Sequence, residues 1–331
     1  MVHRSSLVVV ATLALAVAAQ SARAADATMR ISHQVPVAHH LHKAIEGFKV
    51  EVEKRTEGKI EVKIFPAEQI AKAAEHHPSV ARGSLEAAVA TNFQWGNTIP
   101  EMNVMTIPYL FTDLERIKKF PGSDAAKILE QKLEQKGVKN LAWFYITRQS
   151  IFTSGKKPIV QLADFRGMKI RGLSTISDAG LVAVGAAPTP MAAPEVYQAL
   201  ESGVLDAGIT DVSAAVSRKF YEVQKFGTVA PYFSVYFHMF VNPAWWNKLT
   251  PAHRAALEAS ARKAEADMVT LTEETAAVAG KQLRERGMTI HDQTADEQKA
   301  WAAAMQKPVI DAFVKATGDD GRKLIDLLSK L

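Results

Sequence analysis

The chain of 331 residues contains no cysteine. That excludes disulfides, thiolate nucleophiles and cysteine-held metals, so the folded protein must rely on its own core, which a chain of this length can build. No apolar run reaches the roughly 20 residues that span a membrane. The dinucleotide fingerprint G-x-G-x-x-G, the zinc motif H-E-x-x-H and the nucleophile elbow G-x-S-x-G are all missing. TSGKKP (153–158) has a Gly-Lys pair but no upstream glycine at P-loop spacing, and reads as a turn. There is no long basic run either. A net charge of +5 spread along the chain describes a solvated surface and no nucleic-acid footprint.

At the start stand a short positive stretch, MVHRSS, an apolar run, LVVVATLALAVAAQ, and a small-residue site, ARA. Together they read as a secretory signal peptide over 1–24, cleaved after Ala24. The mature chain is expected to be exported and without a cofactor. With 47% hydrophobic residues it has material for two cores of ordinary size.

The mature chain opens as strand, helix, strand, helix, strand. TMRISHQVP (28–36) alternates and then breaks at Pro36, HHLHKAIEGFKVEVEKRT (39–56) carries Leu41, Ile45, Phe48 and Val52 at helical spacing, and KIEVKIFP (59–66) alternates strictly. After the long apolar run KNLAWFYITRQSIFTS (139–154) the pattern restarts with MKIRG, a helix, PEVYQALESG and VLDAGIT. A second long run, YFSVYFHMFVN, covers 232–242. From Pro251 to about Arg286 an alanine- and leucine-rich stretch predicts one helix of roughly 50 Å at 1.5 Å per residue. A helix that long touches two bodies of ordinary domain size.

The expected fold is therefore α/β. It has two lobes, a hinge, crossing strands and one long helix spanning both lobes, with lobe one over 25–147 and 237–276 and lobe two over 148–236 and 277–331. Ligands commonly bind between such bodies. Two arginines stand out there. Arg171 ends a buried strand in DFRGMKIRG, and Arg148 lies in the first crossing. A guanidinium fits a carboxylate with two hydrogen bonds; alternatively each pairs with an internal acid such as Asp164 or Asp206, and spacing does not decide. His39, His42 and Glu46 on one helical face could ligate a metal, or could line a solvated helix start.

DFRGMKIRG, VGAAPTPMAAPEVYQALESGVLDAGIT, KFYEVQKF, GKIEVKIFPAEQI and IPYLF resemble, across essentially the whole mature chain, the solute-binding proteins of tripartite ATP-independent periplasmic (TRAP) transporters, of the dicarboxylate-binding-protein-like family. The resemblance implies a periplasmic binding protein and no enzyme. It assigns Arg171, in the G-x-K-x-R strand, to the substrate carboxylate, and Arg148, in the T-R-Q segment, to the same group. Where the family commonly has an asparagine, this chain has Asp211, which would repel a second acidic group and favour ligand hydroxyls.

Further cleft candidates are His33 and Gln34 after the first strand and His39 just beyond. Thr91, Asn92 and Phe93, with Trp95 nearby, follow the third strand, and Tyr232 and Phe233 start the second crossing. Gly172 is expected to leave the approach to Arg171 open. The implied partners are a small organic acid and the small and large permease subunits in the membrane, with the binder itself a monomer and no nucleic acid. The expected ligand is a hydroxylated or sugar-type monocarboxylate; an aromatic or dicarboxylic acid, and an exported metal-dependent hydrolase, are the alternatives.

Overall fold

The computed structural model describes residues 25–331, so the expected signal peptide lies outside the described residues. Strands β1 (Ala27–His33), β2 (Ile60–Phe65), β3 (Ala87–Thr91) and β4 (Lys139–Thr147) belong to one sheet. Strands β5 (Ser150–Ser154), β6 (Lys169–Gly172), β7 (Ala187–Pro190), β8 (Ala207–Asp211) and β9 (Phe226–Ala230) belong to a second. The chain then returns to the first sheet as β10 (Val235–Val241) and ends in the second as β11 (Thr289–Asp292). The orders are β2-β1-β3-β10-β4 and β11-β9-β5-β8-β6-β7.

Chain crossings explain the polarity of each sheet. β1, β2 and β3 run parallel, whereas β10, arriving from the second lobe, runs antiparallel to β3 and β4. β5, arriving from the first lobe, runs antiparallel to β8 and β9. The first apolar run is two strands in two sheets, divided at Arg148–Gln149.

Four helices matter for the site. α1 (His40–Arg55) buries Leu41, Ile45, Phe48 and Val52 on the first sheet. α2 (Val212–Ser217) follows β8. α3 (Pro251–Glu285) has the 35 residues of the predicted spanning helix, and it packs on β4 and α1 in the first lobe and on α2 and β11 in the second. α4 (Ala295–Ser329) is a second long element with Pro308 inside it and a non-helical Gly318, where the backbone bends. Its first half packs Trp301 on Phe152 and Phe165 of lobe two, with ring centroids 5.1 and 4.9 Å apart. Its second half returns Phe313, Leu324 and Leu328 to the lobe-one cluster around Phe120 and Trp143. The expected assignment of all of 277–331 to lobe two is corrected accordingly: the apolar face of 309–328 is buried on lobe one.

Candidate ligand-binding site

β6 is flanked by β7 and β8, and its last residues are buried. This places Arg171, 2% exposed, at the strand end facing lobe one. Its Nε donates to the Met191 carbonyl at 3.1 Å and its Nη1 to the Ile209 carbonyl at 2.8 Å. Nη2 is buried without a partner. The two bonds made are to neutral carbonyls, so they fix the fork but do not neutralise it. Burial, and then the nearby Arg218, lower the Arg171 pKa to about 10, against the support of Asp178 and Asp211, so the group is still charged near neutrality. The Phe93 ring of lobe one lies 5.8 Å from the guanidinium carbon. Asp164 and Asp206, considered as internal partners, hold backbone amides elsewhere: those of Val160 and Gln161, and that of Lys169.

Asp211 ends β8 and caps α2. Its Oδ1 accepts from the Ala214 amide at 2.7 Å and from the Ser213 hydroxyl. Its Oδ2 stands 3.8 Å from His39 Nε2 across the cleft, longer than a hydrogen bond. Burial pushes the Asp211 carboxyl up, but His39, His40 and the Ser213 hydroxyl outweigh it and hold the group at about 2. His39 accepts the Leu41 amide on Nδ1 as the cap of α1, so in its neutral form Nε2 carries the proton toward Asp211.

Between the lobes these groups wall a cavity of about 420 Å³, open-mouth space included. Val35, His39, Thr91 and Phe93 come from lobe one; Arg171, Thr210, Asp211 and Arg218 come from lobe two; Phe233, Val235 and Phe237 come from the second crossing. The structure thus brings together six of the expected residues: Arg171, Asp211, His39, Thr91, Phe93 and Phe233.

The others lie elsewhere. Arg148 donates to Glu273 of α3 through Nη2 at 2.8 Å and Nε at 3.3 Å, and Tyr145 joins the same carboxylate at 2.7 Å. In this structure Arg148 therefore stands apart from the cavity wall: β4 runs along α3 and delivers the guanidinium to an acid there. In that segment Ser150 is the register partner of Asp211, and its buried hydroxyl lacks a partner.

Asn92 donates to the Met102 carbonyl and accepts from the Tyr236 amide, so it braces lobe one. His33 faces His42 at 3.0 Å, and burial lowers its pKa to about 3. Gln34 bonds Gln94 at 3.2 Å and borders a separate, shallower hollow. Trp95 lines a neighbouring depression with His77 and Phe93, and Tyr232 packs in the hinge core against Phe152 and Met305. On the histidine face, His42 Nε2 lies 3.4 Å from Glu46, but His39 turns away to Asp211. Among the described residues no set of three or more His, Asp or Glu side chains is placed to hold a metal.

Sequence reasoning missed Arg218. Its only signal is a basic residue at the end of the short helix after Asp211, inside SRKF, which reads as solvated surface. Its side chain instead reaches over the cleft, where Nη2 donates to the Gln34 carbonyl at 3.1 Å.

Two lobes joined by crossing strands, closing on a buried arginine with an unused donor, define a solute-binding protein of the hinged type. The chain belongs to the bacterial extracellular solute-binding protein family 7, whose model matches residues 31–316. It is 30% identical over 293 residues, 88% of this chain and 87% of the relative, to the C4-dicarboxylate-binding periplasmic protein of Rhodobacter capsulatus. Among solved structures it resembles a TRAP periplasmic solute-binding protein from Desulfovibrio salexigens with bound orotic acid, at TM-score 0.86 and 25% identity over 92% of this chain and 97% of that one. It likewise resembles one from Polaromonas bound to D-erythronate, at TM-score 0.83 and 26% identity over 92% and 99%.

Proposed function

We propose that the protein is the periplasmic receptor of a TRAP transporter, capturing a hydroxylated or sugar-type monocarboxylate between its lobes and delivering it to the small and large membrane subunits. The observation that carries this reading is the unpartnered Nη2 of Arg171, a donor on a fixed cation at the cavity wall. A buried donor left unmade costs about 1–3 kcal/mol, which a ligand carboxylate recovers. The cavity is narrow, about 420 Å³ even with its open mouth included, which suits a small acid. Asp211, ionised on the same wall, disfavours a second carboxylate and accepts from hydroxyls. The relatives' own ligands, named for C4-dicarboxylates, orotic acid and D-erythronate, share the carboxyl group and differ in the rest.

Capture requires no covalent step. The acid docks on Arg171 in the open cleft, and lobe one then brings His39, Thr91 and Phe93 over it. The closed state is favoured by as much as the ligand binds it better than the open one. Excluding water strengthens the arginine–carboxylate pair.

A thermal-shift panel of D-erythronate, D-glucuronate, succinate and orotate tests the reading. At 100 times its dissociation constant a bound acid stabilises by about 2.7 kcal/mol. Arg171→Ala should then cost at least about 3 kcal/mol of binding, more than a hundredfold by calorimetry, with the unliganded fold retained. An Arg171→Ala protein that binds the selected acid as tightly as the wild type overturns the assignment.

A further inference from the structure

Arg218 is the residue of the cavity that no motif singles out, and three observations converge on it. It follows α2 directly as its C-cap and so sits on the same short unit as Asp211. Its Nη2 is tied to the Gln34 carbonyl at 3.1 Å, just beyond the end of β1, so the guanidinium bridges lobe two to lobe one. Its Nε is buried with no partner, beside the wall shared with Asp211. On that wall Asp211 has Oδ1 engaged by Ser213 and Ala214, while Oδ2 accepts no hydrogen bond and faces His39 Nε2 at 3.8 Å.

An unused N–H and an unused carboxylate oxygen on one wall are the complement of a hydroxyl, which accepts one hydrogen bond and donates one. We infer that Arg218 and Asp211 form a hydroxyl-reading subsite: Nε of Arg218 donates to an alcohol oxygen of the bound acid, and that alcohol donates to Oδ2 of Asp211. This rests on the proposed carboxylate anchor at Arg171 and adds the group that recognises the rest of the molecule.

Charge supports a neutral group at this subsite. Arg171 and Arg218 bring two positive charges into the cavity, and Asp211 brings one negative charge. One ligand carboxylate balances this lining while Asp178, behind Gly172, holds its proton. A second would leave excess negative charge in a desolvated space, next to Asp211 and the buried Asp178, where repulsion is least screened. The bridge to Gln34 adds a conformational condition: Arg218 is held in place only when the lobes are together, so hydroxyls are read on closure, after the carboxylate has docked.

The test compares acids that share a skeleton and differ in hydroxyls: D-erythronate with butyrate, and D-glucuronate with tetrahydropyran-2-carboxylate. Dissociation constants are measured by calorimetry, with displacement titrations for the weaker member, on wild type, Arg218→Met, Arg218→Lys and Arg171→Ala, after unliganded melting temperatures show each variant folded. The wild type should prefer the hydroxylated member of at least one pair. Arg218→Met should reduce that preference at least tenfold, and Arg218→Lys, which retains charge but lacks the Nε donor, should reduce it similarly. A preference unchanged in both variants overturns the inference, as does equal loss for both members of a pair, which would make Arg218 a simple closure contact. A wild type with no hydroxyl preference also overturns it. If Arg171→Ala binds as the wild type does, or no acid binds, the carboxylate reading fails as well; if Arg171→Ala abolishes binding while Arg218 variants keep the preference, only the subsite fails.

Discussion

A Cβ on Gly172 would stand 2.0 Å from Oδ2 of Asp178, so the glycine beside Arg171 makes room for an internal carboxylate and not for the approaching ligand, as its position in the motif suggested. Asp178 accepts the Leu173 amide on Oδ1 at 2.9 Å and leaves Oδ2 buried without a partner. Burial pushes its carboxyl up to about 6, against the pull of the Leu173 amide and of Arg171. A ligand carboxylate arriving on Arg171 adds negative charge and raises that pKa further. Binding should therefore take up part of a proton between about pH 6 and 8, and affinity should fall as pH rises through that window, by at most about a decade per pH unit. Asp211, at about 2, stays ionised throughout. Calorimetry in two buffers of different ionisation enthalpy measures the uptake, which Asp178→Asn should abolish; uptake that persists in that variant removes Asp178 as its source. At this scale Arg171 was legible because a permanent charge at the end of an apolar strand is unusual. Asp178 and Arg218 were not, because the turn after β6 and the cap after α2 bring them to the site by folding and not by spacing.

At the scale of elements, strict alternation made β2 readable and unbroken helix formers made α3 readable from Pro251 to Glu285. The division of the first crossing at Arg148–Gln149 was not, since no glycine or proline marks it. α3 also carries a buried acid that its pattern does not announce. Glu265 accepts the Trp143 amide of β4 at 2.6 Å and pairs with Arg262 at 2.8 Å. Burial pushes its carboxyl up to about 7, more than Arg262 and the amide pull it down. A group whose folded pKa lies above its unfolded value holds its proton longer in the fold. Its contribution is thus fully present below about pH 4.5 and is lost as pH rises through about 7, on the order of 3 kcal/mol in all. The melting temperature should accordingly fall by a few degrees between pH 5 and 8, and Glu265→Gln, which retains an acceptor for the Trp143 amide, should flatten that dependence. An equally steep profile in the variant would place the sensitivity elsewhere.

For the whole molecule, the doubled strand–helix pattern and the two crossings were enough to read two lobes and a cleft. The return of α4 to lobe one was not readable, because Pro308 and Gly318 both suggest an ending where the chain only bends. That return has a mechanical consequence. α3 and α4 each pack on both lobes, so rotation must occur about the crossings while the cleft-facing contacts separate. Those contacts are mostly polar: Arg218 to the Gln34 carbonyl at 3.1 Å, Ser213 to His40 at 3.2 Å, Asp211 facing His39 at 3.8 Å, and Ser174 and Ser177 with Asn103 and Thr106 at 2.6 to 3.3 Å, beside the Phe93 ring over Arg171. Each polar bond is worth only about 1 kcal/mol net, and water can replace it in an open cleft. Without ligand the closed arrangement is therefore only weakly favoured over an open one, and a carboxylate bridging Arg171 to lobe one tips the balance. Small-angle scattering should show a larger radius of gyration for the unliganded protein than the closed coordinates give, contracting to the closed value when a binding acid such as D-erythronate saturates it. Arg171→Ala should stay expanded at the same acid concentration. Scattering that already matches the closed coordinates without ligand, and does not change on saturation, would rule out closure as the means of capture.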